Sequence, residues 1–355
     1  MKCMRPGGAV ARGGRLVGLS EDWQTALRYS GPFMQAILAV TVPFFALVLA
    51  GYLAARARVL PESAIPGLNA FVLYFALPCL LFRFGMNTPV FDLLNPAMLG
   101  VYLLAALLIV FFTIAVSLNE RVQLKDASFG ALVAAFPNTG FMGVPLLVAL
   151  LGPAAAGPVI CTVLADLFVT SSLCIALAQV SGAGGGPGAR TAALRAVRGA
   201  LSNPLPWAIA LGAVFSVAEL KLSGPVDVVV RMLADAASPV ALFAIGAVLW
   251  RAGQHAHTRT APRDYVPVAL IKLFVHPALV FALAASAAAL GAPLSGFQVT
   301  VLTLAAALPS ASNVSLLAER YGADNGRVAR IIMTSTVLSF VSFSALAWVF
   351  GVRPV

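Results

Sequence analysis

The chain has 355 residues, 60% of them hydrophobic and only 10% charged, with a mean hydropathy of +0.94. Such a composition excludes an ordinary soluble domain and places the chain among polytopic membrane proteins, whose main solvent is lipid. A formal net charge of +10 would suit a nucleic-acid binder, but the Lys and Arg residues collect in alternate loops between apolar runs, which points to a bilayer and away from nucleic acid.

About 20 helical residues match the hydrocarbon thickness of a bilayer, so apolar runs of about 18 to 25 residues predict an all-α protein with ten transmembrane helices. Residues 1–33 precede them, with Lys2, Arg5, Arg12, Arg15 and Arg28 and no secretory apolar region. Met34 opens directly onto "MQAILAVTVPFFALVLAGYL", so the expectation is that Met34 is the true start and 1–33 a non-native tail. Five spans follow at 33–54, 64–85, 97–118, 127–151 and 157–180. After the Gly-rich "SGAGGGPGAR" at 181–190 come five more, at 204–222, 227–250, 265–290, 296–318 and 328–350. The chain thus divides into a first five-helix unit (34–180), a cytoplasmic linker (181–203) and a second five-helix unit (204–355).

One set of alternate loops holds thirteen basic residues, from Arg56 and Arg58 through Arg121, Lys125 and the Arg-rich stretches to Arg320, Arg327 and Arg330. The opposite loops hold only Lys221 and Arg231, so the basic set faces the cytoplasm and both termini are predicted outside a multi-pass inner or plasma membrane protein. The cysteines (Cys3, Cys79, Cys161, Cys174) and the pair His255 and His257 lack metal-type spacing, and no metal or organic cofactor is expected.

The chain also repeats itself. An offset of 161 residues aligns Pro43 with Pro204, Gly51 with Gly212, Pro78 with Pro239 and Gly85 with Gly246, and an offset of 172 aligns "LVAAFP" (132–137) with "LAAALP" (304–309). Each unit has an odd number of spans, so the second enters the membrane from the opposite side, which makes an inverted repeat of the secondary-transporter kind. The fourth span is interrupted by "AAFPNTGFMGVPLL" (134–147), and Pro309 puts an equivalent break in the ninth. Non-helical backbone at membrane depth is tolerated only where protein or a wet cavity covers it. Two equivalent breaks therefore mark a midplane cavity whose half-helix ends offer N–H groups to an anion.

Charges inside spans need a reason, since each costs about 2.5 to 3.5 kcal/mol at the centre of a helix. Asp166 in the fifth span, Lys272 in the eighth and Arg83 near the end of the second are the candidates. Asp166 and Lys272 could neutralise one another as a pair, with Asp166 carrying a proton or Lys272 attracting a carboxylate; Arg83 could instead snorkel to the interface.

Several stretches carry a family likeness: "FPNTGFMGVPLL", "NPLPWAIALG", "ASPVALFAIGAVL", "IKLFVHP" and "ALPSASNVSLLAERYG". Over about residues 34 to 350 the chain resembles the auxin efflux carrier family, including its bacterial malonate-transporter-like members. That resemblance implies crossed, broken helices four and nine, a scaffold and a transport domain in elevator-like motion, and small carboxylate substrates held by the Asn after the proline. Here that residue is Asn138; the ninth span has Ser310 after Pro309 and its Asn at 313. The candidate substrate site is therefore Pro137, Asn138, Thr139 and Gly140 with Pro309, Ser310 and Asn313. A homodimer is a further expectation. No acidic residue flanks either break, which favours proton coupling through Asp166, or uniport, over sodium. The chain has no His-Glu-x-x-His, Gly-x-Ser-x-Gly or Walker sequence, so an enzyme is not expected; a channel or sensor of the same fold is the competing reading.

Overall fold

The computed structural model describes residues 18–89, 95–180, 201–254 and 260–354, and side chains from residue 34 onward. The first 17 residues of the expected tail, residues 181–200 of the linker, and His255 with His257 lie outside them. The helices run α1 (Gly18–Arg56), α2 (Glu62–Asn87), α3 (Pro96–Ser117), α4 (Leu124–Ala135), α5 (Thr139–Leu151), α6 (Pro153–Val180), α7 (Pro204–Val217), α8 (Gly224–Gln254), α9 (Pro262–Ala289), α10 (Gly296–Ala306), α11 (Val314–Arg320) and α12 (Asn325–Val349). Seven are long and apolar enough to cross a membrane: the Met34–Arg56 part of α1, then α2, α3, α6, α8, α9 and α12. Among the described residues no strand occurs, only one isolated bridge. Each expected span has a helical counterpart. The fourth and ninth are each in two pieces, and the sixth ends at Val217 rather than 222, where Glu219 takes a left-handed φ of 52°.

Helix starts follow the capping chemistry of the sequence. Asn95 accepts from Ala97 N (2.9 Å) and Met98 N (3.2 Å) ahead of Pro96, and Asn203 caps α7 through Leu205 N (3.0 Å). Ser295 and Gln298 form a reciprocal box at α10 (3.2 and 2.9 Å).

Within the helices, π turns occur at Val72–Ala76, Thr139–Gly143 and Ile271–Val275, and a proline stands two residues after each: Pro78, Pro145 and Pro277. A proline ring clashes with the carbonyl four residues back, and a turn widened by one residue moves that carbonyl aside. A fourth π turn, Asp166–Thr170, has no such proline.

Two helix pairs pack backbone to backbone. In α1 against α8, Gly51 lies on the Phe243 carbonyl and Gly246 on the Val48 carbonyl; in α2 against α7, Gly85 lies on the Ile209 carbonyl and Gly212 on that of Phe82. Any Cβ there would collide with main chain, so glycine sets the separation of the axes.

Elsewhere four helix ends are tied by Arg327, which is 2% exposed. Its Nε donates to the Asp264 carbonyl (2.8 Å), Nη1 to the Asp126 carbonyl (2.9 Å) and Nη2 to Ser117 Oγ (3.4 Å). The Asp126 carboxylate in turn accepts from Asp324 N (2.8 Å), and Gly130 leaves the space that the guanidinium fills. The sequence reading places Arg327 among the loop cations. Folding buries it instead, because three oxygens at the ends of α3, α4 and α9 replace the water it gives up.

Candidate functional site

Pro137 cannot donate a helical hydrogen bond and pushes Phe136 into extended backbone (φ −103°, ψ 96°), so α4 stops at Ala135. Pro309 does the same after α10, and the chain restarts at α11 only after Asn313. The two discontinuities meet. Pro137 and Ser310 form an antiparallel bridge in which Asn138 N donates to the Pro309 carbonyl (2.8 Å) and Ala311 N to the Phe136 carbonyl (3.0 Å). Ser310 Oγ donates to the Val133 carbonyl (2.7 Å), and Ser310 N donates to Ser335 Oγ of α12 (3.2 Å). Each break thus satisfies main-chain groups that the other would leave bare.

The two asparagines fare differently from the backbone. Asn138 precedes α5 and Asn313 precedes α11, where either side chain would ordinarily cap the helix, yet neither makes a side-chain cap hydrogen bond. Asn138 Oδ1 and Asn313 Oδ1 are both buried and accept nothing from the described residues. Both residues line one small chamber of 20 Å³, with Pro137, Gly140, Phe141, Val163, Leu205 and Ala311 among its walls. That is room for about one water. A second cavity of 320 Å³ shares Phe136, Phe141, Leu167 and Asn313 with the chamber. It runs between Leu73, Ile175, Val248 and Leu316 to the exposed Ser202 and Arg320. Its size is within the range of small-molecule sites, and its walls are mainly apolar with polar groups at the two ends.

Of the expected site residues, Pro137, Asn138, Gly140 and Asn313 come together on the chamber, despite the different spacing of Asn313 from its proline. Pro309 and Ser310 stand behind it, as the tie between the breaks. Thr139 is fully buried and its N–H is spent on the Pro137 carbonyl (2.8 Å), so it offers no open donor. The start of α11 is similarly committed: Val314 N and Ser315 N bond to the carbonyls of Ala311 and Ser312 (both 3.3 Å). Those two main-chain donors of the second break are therefore spent, whereas the side-chain oxygens of Asn138 and Asn313 are not.

The intramembrane charges form a separate buried cluster. Asp166 accepts from Tyr102 Oη (2.8 Å) and Thr170 Oγ1 (3.1 Å); Lys272 Nζ donates to the Ala306 carbonyl and lies 3.2 Å from His276 Nδ1. All four of Tyr102, Asp166, Lys272 and His276 are fully buried, and the Tyr102 and His276 rings lie 6.0 Å apart. Among the described residues no direct ion pair joins Asp166 to Lys272: the carboxylate is held by Tyr102 and Thr170, and Lys272 Nζ by the Ala306 carbonyl and His276. Arg83 is paired with Asp227 at the start of α8 (3.0 Å) and lines neither cavity. Sequence reasoning misses Tyr102, because one Tyr in an apolar run carries no pattern that separates it from packing.

A family model described as "Membrane transport protein" matches residues 36–185 and 189–347. The chain belongs to that family. It is the auxin efflux carrier family that the residues resemble, and the chain is a multi-pass membrane protein of it. Among relatives, it is 29% identical over 322 residues to a Rhizobium meliloti (strain 1021) protein named "Putative malonate transporter", covering 89% of this chain and 96% of that one. It is 24% identical over 315 residues to "Uncharacterized transporter YfdV" of Escherichia coli (strain K12), covering 88% and 96%. An "Uncharacterized transporter" of Methanothermobacter thermautotrophicus is 26% identical over 310 residues, covering 87% and 95%.

Proposed function

We propose that this family member is a secondary transporter of small organic anions, mono- or dicarboxylates such as malonate, bound beside the crossing of the two breaks in the 320 Å³ cavity that adjoins the one-water chamber. The observation that carries this reading is the pair Asn138, buried, and Asn313, half-buried: both line one chamber, neither caps its helix, and each has a buried oxygen that accepts nothing from the described residues. An amide in that condition can turn Nδ2 toward a carboxylate oxygen or Oδ1 toward a protonated one. The cost of leaving it unmatched, about 1 to 3 kcal/mol, is recovered only when a ligand arrives. The name of the Rhizobium relative is in keeping with a dicarboxylate.

The ten-helix inverted repeat is part of the same reading, and the glycine contacts support it. The 161-residue offset carries Gly51 onto Gly212 and Gly85 onto Gly246. It therefore carries the α1–α8 contact onto the α7–α2 contact, as a pseudo-two-fold axis requires. Helices α1, α2, α7 and α8 form a scaffold closed by these contacts. The remaining helices, tied at the crossing and through Arg327, move against it as an elevator and carry the chamber across the membrane, with both termini outside.

Uptake by purified protein in proteoliposomes, tested with labelled carboxylates at controlled sodium and pH, tests this reading. A carrier gives saturable counterflow of at least one carboxylate. Flux without counterflow would make the protein a channel, and no flux with any carboxylate would remove the substrate class.

A further inference from the structure

The crossing joins four helix ends. Two of them, the C-termini of α4 and α10, carry the negative end of a helix dipole. At α4 the terminal acceptors are met by neutral groups of the other break: Ser310 Oγ on the Val133 carbonyl and Ala311 N on that of Phe136. At α10 the Thr303, Leu304 and Ala305 carbonyls accept from Ala307 N and Leu308 N, and the last, Ala306, accepts from the Lys272 ammonium. Among the described residues this lysine is the one charged side chain in hydrogen bond with either end. It comes from α9, where the π turn Ile271–Val275 includes it, and it is fully buried, with His276 Nδ1 as a second polar neighbour at 3.2 Å.

We propose that Lys272 is a positioning residue, the built-in countercation of the second break. Its ammonium fixes the end of α10 and offsets the negative dipole there, so an anion can enter the crossing without a bound metal cation to supply the charge. Asp166 balances the lysine in the cluster from a distance, held by Tyr102 and Thr170, and so leaves the ammonium for Ala306. The inference rests on the anion reading given above and adds a residue outside the chamber to it, together with independence from sodium.

The test uses full-length protein, with labelled malonate as the probe for counterflow in sodium or choline buffer, and hydrogen exchange over residues 304–313 with no substrate present. Wild type is expected to transport equally in both buffers. Lys272→Met is expected to raise KM about ten- to thirtyfold with kcat nearly unchanged, and to speed exchange at 304–313 selectively. Lys272→Arg keeps the charge and restores both. If the Met variant does not purify as a monodisperse protein, Lys272→Gln, which loses the charge and keeps a donor, replaces it for the KM measurement. A wild type that requires sodium, a variant that loses kcat at unchanged KM, or unchanged exchange at 304–313 overturns the proposal. If wild type carries no malonate, the malonate assignment falls, and the exchange measurement alone decides the role of the lysine.

Discussion

Replacing Asn138 separates a ligand role from a structural one, because the structure isolates the side chain from the backbone. The main chain of Asn138 is fully engaged: its N–H reaches the Pro309 carbonyl (2.8 Å) and its carbonyl accepts from Met142 N and Gly143 N (both 3.0 Å). None of these bonds needs the amide, whose oxygen has no donor. Asn138→Ala should therefore leave the melting temperature in detergent close to wild type, a change within about 1 kcal/mol. It removes a hydrogen bond to a charged ligand, about 1.5 to 3 kcal/mol, or about 10- to 140-fold in KM. Uptake at substrate concentrations near the wild-type KM should then fall to about a fifth of wild type or less. Asn138→Asp has the same shape but places a carboxylate beside the bound one. At about 4 Å and an effective dielectric constant of about 20 the repulsion is about 4 kcal/mol, which lowers affinity by about three orders of magnitude. The assay is concentration-dependent counterflow in proteoliposomes beside thermal unfolding of the same preparations. Full transport by the Ala variant would remove Asn138 from the site, and wild-type transport by the Asp variant would show that the guest is not an anion.

Three further outcomes follow from the geometry. Gly246→Ala should destabilise the protein by about 1 to 3 kcal/mol in thermal unfolding, since its Cβ would strike the Val48 carbonyl; Gly253→Ala, whose nearest contact is Met333 Cε at 3.5 Å, is the control expected to show little change. Arg327→Met should cost about 3 kcal/mol or more by removing the charged hydrogen bonds that tie α12 to α3, α4 and α9, and Arg327→Lys should recover only part, because one ammonium cannot reproduce the guanidinium fork; equal stability of all three would refute the tie. Asp166→Asn keeps an acceptor for one of Tyr102 and Thr170, the other hydroxyl turning to accept from Nδ2, while removing the ionisable group, so it should flatten the pH dependence of uptake; an unchanged profile would exclude proton coupling there.

Proline and glycine made the architecture legible. A single proline does not decide a break, since Pro239 and Pro267 stay inside helices, but Pro137 and Pro309 stand at equivalent places in the two halves, and that pairing makes both breaks readable from the chain. The glycine register marks close approaches for the same reason, since only a missing side chain permits them. Side-chain partnerships were less legible. Arg327 sits beside Asp324, Asn325 and Gly326 and reads as a loop cation, because the carbonyls that bury it belong to residues more than sixty positions away. Asp166 and Lys272 look like natural partners on charge alone, but charge does not reveal that Tyr102 and Thr170 hold the carboxylate and that Lys272 bonds to the Ala306 carbonyl. Asn313 falls at a different distance from its proline than Asn138 does, yet it reaches the same chamber because the loop from Ala307 to Asn313 is longer than its counterpart.

The bonds that stitch residues 136–138 to residues 309–311 also limit how a guest can leave. A pocket formed by two independent jaws could release its cargo by gaping. Here each jaw holds the other's peptide groups, and parting them would strand several amides and carbonyls in a medium that offers no replacement. On the proposed reading, cargo seated at this seam travels with the seam intact, and the sliding surfaces lie elsewhere, along faces where no such stitches are sewn.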